Sequence, residues 1–130
     1  MNGYLITAGI LSFAIGLIHS VFGESLIFRR LRATGIIPTN GGAVLREAQV
    51  RILWASWHLV TVFGWCIAAM LIWLALPTSK AVAQLAIAHT ISVSMLASSL
   101  LVLVGTKGRH PGWIGLLVVA MLTAIGLYVS

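Results

Sequence analysis

Aspartate is absent from this sequence, glutamate occurs only at Glu24 and Glu47, and cysteine only at Cys66. With so few acids, paired-carboxylate hydrolysis and Ser-His-Asp relays lack members. There is no GxSxG, no phosphate-binding loop and no HExxH, CxxC or ExxH pattern, so conventional soluble enzyme chemistry and the common metal motifs find no footing. A single cysteine excludes an intrachain disulfide, and its place inside an apolar run gives it a small-residue packing role. Charge of either sign is scarce, at 8% of residues.

Apolar residues are abundant. The chain of 130 residues is 60% hydrophobic with a mean hydropathy of +1.08, outside the range of soluble globular domains. Apolar runs cover 4–28, 52–76, 81–104 and 113–129, and a spanning helix needs about 20 residues. The expected fold is an all-α membrane protein, an antiparallel four-transmembrane-helix bundle with helices over 4–32, 43–76, 81–104 and 113–129 in one domain, 1–130. The first run has no basic leader and no small-residue cleavage pattern after it, so it is read as a retained helix. The breaks are "TGIIPTNGG" (34–42), "PTSK" (77–80) and "GTKGRHPG" (105–112); connections this short make neighbouring helices antiparallel.

The net charge of +6 reads as topology and lipid contact, and not as nucleic-acid binding. Arg29, Arg30, Arg32, Arg46 and Arg51 flank the first connection, Lys107 and Arg109 lie in the third, and Lys80 stands alone in the second. The positive-inside rule then puts connections 1 and 3 in the cytoplasm and both termini outside, N-out and C-out, in a bacterial-type inner membrane. Four short spans expose much apolar surface, which predicts a homodimer or a larger membrane complex.

Two patterns draw attention to helix 1. Gly9, Ser12, Gly16, His19 and Gly23 alternate at spacings of three and four, forming one seam of small residues that lets another helix or a flat ligand approach closely. Plain helix packing accounts for the glycines and leaves His19 unexplained. Intramembrane ionisable groups are costly and face the interior, which makes His19, His58 and His89 functional candidates; His110 lies in a turn. In a hairpin centred between Pro38 and Thr39, residues equidistant from the centre share a depth, so His19 is level with His58. Ser98 or Ser99 of helix 3 falls near that level, while His89 lies about 14 Å nearer the outer face. Glu47, Arg51, Trp54, His58, Thr61 and Trp65 form one stripe on helix 2, with Trp57 beside it. His89 and Ser92 suggest a second polar layer, although serine hydroxyls also bond back to their own helix. Glu24 falls opposite Leu53, and an ion pair between Glu24 and Arg51 near the headgroups is expected. A metal bound jointly by His19 and Glu24 requires a distorted helix, because five residues along a regular helix leave them about 140° apart.

These residues suggest a buried histidine site that binds haem b for electron transfer. His19 and His58 would be axial ligands, Gly16, Gly23, Trp54 and Trp57 the slot, and Arg51 a propionate partner, with a quinone as a possible electron partner and His89 near it. Directly packed helices are only about 8–10 Å apart, so such a hairpin must splay or find a ligand across a dimer. A zinc, copper or iron ion on His19 and His58 is a variant of the same expectation. The alternative is a small proton-coupled transporter, or a structural or accessory subunit of a larger membrane complex. "KGRHPGW" (107–113) is a cationic turn with an interfacial tryptophan, suited to anchoring helix 4, the alternative being to meet an anionic headgroup or a cytosolic partner.

Overall fold

A computed structural model describes residues 1–129 as helices and their connections, with no strand among the described residues. Helix α1 spans Gly3–Phe22, α2 Glu47–Ala75, α3 Lys80–Gly105 and α4 Gly112–Val129. Three segments, Gly3–Leu31, Glu47–Ala75 and Lys80–Gly105, are long and apolar enough to cross a membrane.

Local chemistry explains the ends. The Asn2 side chain accepts from the Tyr4 and Leu5 amides, and Ser79 accepts from Val82, each satisfying amides that a helix start leaves unpaired. Helix 2 begins at Glu47, four residues after the expected Ala43. The preceding segment is committed to a turn, with Gly42 at positive φ and a bridge between Gly41 and Leu45. Gln49 then reaches back to the Arg46 amide at 2.8 Å, closing the first turn from outside. Pro77 follows the end of α2, where the residue before a proline avoids helical geometry.

Helix 1 does not continue regularly to Arg32. After Phe22 it widens into a π-helical turn, Gly23–Ile27, then tightens into a 3-10 turn, Phe28–Leu31. The amides of Thr39 and Asn40 both donate to the Leu31 carbonyl, so the first connection folds back onto the end of the helix.

Packing follows chain order: α1 on α2, α2 on α3 and α3 on α4, with no comparable contact between α1 and α4 among the described residues. The α1–α2 interface is the glycine seam. A Cβ on Gly9 would lie 2.9 Å from Ile72 Cγ1 and 3.0 Å from the Ala68 carbonyl oxygen, and one on Gly16 would lie 3.1 Å from the Trp65 ring. Ser12 donates to the Gly64 carbonyl at 2.9 Å. These pairings run antiparallel and follow the equal-depth geometry of a hairpin turning near Pro38. Between α3 and α4, Ser92 donates to the Ala120 carbonyl at 2.9 Å and Ser99 to that of Trp113 at 2.7 Å.

The interior is small and partly polar: Ala55, Cys66, Ala68, Thr61, Ser98 and Ser99 are buried, while Ile10, Ile15, Val93, Leu100 and Leu122 are exposed. Apolar bulk therefore lies on the outside, opposite to a water-soluble core. Close approach through small residues holds the helices together.

Gly23→Ala should destabilise the fold by about 1–3 kcal/mol, the usual cost of overpacking, because its Cβ would overlap the Trp57 indole. Gly115→Ala, whose Cβ meets nothing within 4 Å, should not. Unfolding midpoints in detergent compare the two, and an unchanged midpoint for Gly23→Ala would show that Trp57 is free to swing aside.

Candidate functional site

The irregular end of helix 1 sets the site. In the π turn the Phe28 amide reaches the carbonyls of both Gly23 and Glu24. Glu24 lies in this wider turn, a local feature common at functional sites, on the side of helix 1 that meets α2. Its Oε2 lies 3.4 Å from Trp54 Nε1, which donates to it, and 3.7 Å from His58 Nε2. On the other side Arg32, carried back by the 3-10 turn, forms an ion pair with Glu24 Oε1.

From His58 a chain of hydroxyls leads inward between the helices. Ser20 Oγ lies 2.8 Å from His58 Nδ1 and 2.7 Å from Thr61 Oγ1. Thr61 donates to the Gly16 carbonyl at 3.0 Å. A hydroxyl has one proton to give, which fixes every direction in the chain. Thr61 gives its proton to Gly16, so it accepts from Ser20; Ser20 is thereby spent, so it accepts from His58. The network thus assigns the His58 proton to Nδ1 and leaves a lone pair on Nε2, facing the Glu24 carboxylate just beyond hydrogen-bond distance. A proton placed there would be shared by imidazole and carboxylate. The site opens on a cleft of about 450 Å³ lined by Ser20, Glu24, Ser25, Arg29, Arg32 and His58.

His19 does not meet His58 directly. Its ring stacks on Trp57, with centroids 4.4 Å apart and planes 7° from parallel, and Trp57 Nε1 donates to the His19 carbonyl at 3.0 Å. Trp57 also covers Gly23, and Trp65 covers Gly16. The glycine seam thus receives a neighbouring helix, with the indoles of α2 seated on its glycines. His19 Nε2 is buried without a hydrogen-bond partner among the described residues, as is His58 Nε2. His19 also borders a second cleft, of about 350 Å³, with Ser12, Gly16 and Gly64.

The ion pair expected between Glu24 and Arg51 is replaced by Glu24 with Arg32. Arg51 is buried against α3 instead, with its Nη2 donating to the Val104 carbonyl at 3.2 Å and its Nη1 3.7 Å from Glu47. The back-folded connection brings Arg32 to Glu24, while Arg51 projects from the side of α2 that meets α3. The second polar layer also divides. Ser92 faces α4, whereas His89 is exposed on the stripe of Val93, Leu96 and Leu100, which points away from both neighbours. Among the described residues no group of three or more His, Cys, Asp or Glu side chains gathers closely enough to hold a metal ion.

Sequence reasoning passed over Ser20 and Arg32 as site members. Ser20 and Glu24 stand four apart, on one face of a helix, and that spacing was the available signal. No protein-family model, curated protein or solved structure matches the chain.

Nitrogen NMR of histidine-labelled protein should report the Nδ1-H tautomer for neutral His58. Thr61→Val, which removes the acceptor that orients Ser20, should mix the tautomers. An Nε2-H signal in the unmodified protein would reverse the assigned direction of the chain.

Proposed function

We propose that the protein is a multi-pass membrane protein that binds and releases a proton at the Glu24–His58 pair, as a small proton-coupled transporter or as the proton-handling accessory subunit of a larger membrane complex. The apolar exterior and the three long apolar helices support insertion. The arginine-rich first connection and the Lys107–Arg109 turn support the N-out, C-out orientation in an inner membrane, with connections 1 and 3 cytoplasmic. The observation that carries the functional reading is the hydrogen-bonded chain ending in an unpartnered His58 Nε2 beside Glu24.

The roles of the residues follow from their contacts. Glu24 and His58 hold the proton between them. Ser20 and Thr61 fix the imidazole tautomer and ring orientation, as outer partners of a functional histidine do. Arg32 keeps Glu24 anchored and its charge balanced, since breaking a partly buried ion pair strands the remaining charge. Arg29 adds a second cation at the mouth of the cleft. Trp54 seals one side, its ring 4.8 Å from that of His58 in an edge-on arrangement.

Infrared difference spectra recorded across a pH titration test this reading. A carboxyl band and histidine bands should change together in the unmodified protein. Glu24→Gln should abolish the carboxyl change, and His58→Asn should uncouple it from the rest. Spectra indistinguishable among the three proteins would refute the proton site.

A second reading rests on the two buried, unpartnered Nε2 atoms of His19 and His58, which are the ligand atoms that a haem b or a single zinc, copper or iron ion would use. Both imidazoles come from neighbouring helices at one depth, which supports a membrane electron carrier. For a porphyrin to reach both, Trp57 would have to leave the faces of His19 and Gly23. Absorption spectra of detergent-purified protein, oxidised and dithionite-reduced, with metal analysis on the same sample, separate the readings. A Soret band with sharp reduced α and β bands, lost in His19→Ala and His58→Ala but kept in His110→Ala, would establish haem. A colourless, metal-free, folded protein would leave the proton site as the reading.

A further inference from the structure

A separate cavity of about 250 Å³ lies between the first turns of α2 and the turn joining α3 to α4, lined by Ala48, Gln49, Ile52, Thr106, Arg109 and His110. Its polar groups have a shared property once their internal bonds are counted. Thr106 Oγ1 donates to the Val102 carbonyl at 2.7 Å and accepts from the His110 amide at 3.4 Å, so it is satisfied. The Gln49 carbonyl oxygen accepts from the Arg46 amide at 2.8 Å, which leaves its NH2 group. His110 Nδ1 accepts from the Gly112 amide at 3.1 Å, which puts its proton on Nε2. Arg109 adds a guanidinium, a group with donors only. What remains to face a ligand is a set of donors carrying positive charge.

The nearest acid does not oppose this. Glu47 is engaged by Lys107 Nζ at 3.0 Å and lies 3.7 Å from Arg51 Nη1. The remaining lining, Ala48 and Ile52, is apolar and runs into the apolar surface of α2. Trp113, its Nε1 donating to the Gly108 carbonyl at 3.3 Å, marks the same end of α4 as a tryptophan marks a membrane interface. A donor-only, cationic cavity at the end of apolar helices suits a phosphate with hydrocarbon attached to it.

We infer that this cavity binds the phosphate of an anionic phospholipid, held by Arg109, His110 Nε2 and the Gln49 amide, with the acyl chains along α2. The inference rests on the reading of the helices as membrane spans. It shares no residue with the Glu24–His58 pair and stands or falls apart from it.

Native mass spectrometry of the full chain in detergent, titrated separately with phosphatidylglycerol, phosphatidylcholine and inorganic phosphate, tests the site. One phosphatidylglycerol should be retained in preference to phosphatidylcholine. Arg109→Gln should weaken that retention roughly fivefold, the effect of one cation near a lipid surface. His110→Asn, whose side-chain carbonyl can still accept from the Gly112 amide while the Nε2 donor is gone, should weaken it too. Arg30→Gln, which removes an equal charge elsewhere, should not. Both cavity residues are exposed, so their variants should fold, and circular dichroism verifies it. Equal retention of the two lipids, or equal loss in Arg30→Gln and Arg109→Gln, would overturn the site while leaving a protein that still needs detergent. Binding of inorganic phosphate through Arg109 without phosphatidylglycerol binding would overturn the lipid as its source.

Discussion

Everything at the centre of this molecule depends on how closely α1 lies against α2. Glycines at 9, 16 and 23 remove the side chains that would hold the two helices apart, and the space they leave is filled by Ile72, Trp65 and Trp57. This contact brings Ser20 within hydrogen-bond reach of both His58 and Thr61. With bulkier residues in the seam the hydroxyls would fall out of range, and the His58 ring would lose its partner at an energetic cost. Packing and polarity are thus one arrangement here: small residues create proximity, and proximity satisfies the polar groups.

The π turn after Phe22 supplies what close packing cannot. A regular helix would carry Glu24 about 140° around from His19. Glu24 stands four residues from Ser20, on the face that meets α2, and its carboxylate lies beside His58 and Trp54. The following 3-10 turn and the bonds from Thr39 and Asn40 to the Leu31 carbonyl bring Arg32 back to the same carboxylate. Two irregular turns in succession thereby set the Glu24–Arg32 ion pair beside His58, from residues that stand apart in the sequence.

Much of this was legible in the sequence because it follows from periodicity. Run lengths predict four helices, glycine spacing predicts the seam, and symmetry about Pro38 predicts which residues share a depth. The partners within that depth were not legible. One step along α2 separates Trp57 from His58, and that step decides whether His19 meets a ring to stack on or a nitrogen to share a ligand with. The Arg32 pairing depends on a backbone path through 32–46 that hydropathy cannot describe. His89 was misplaced for a related reason: it lies about 60° around α3 from Ser92, on the exposed apolar stripe of Val93, Leu96 and Leu100, and only the stripe bearing Ser92 and Ser99 faces α4.

The hydroxyl chain also has an end. Thr61 gives its hydrogen to the backbone oxygen of Gly16, and an amide carbonyl does not take up a proton and pass it on. The direction of hydrogen bonding along these hydroxyls therefore runs from His58 to the helix backbone and stops there. The chain has its His58 end at the Glu24 cleft and its other end closed on the backbone of α1.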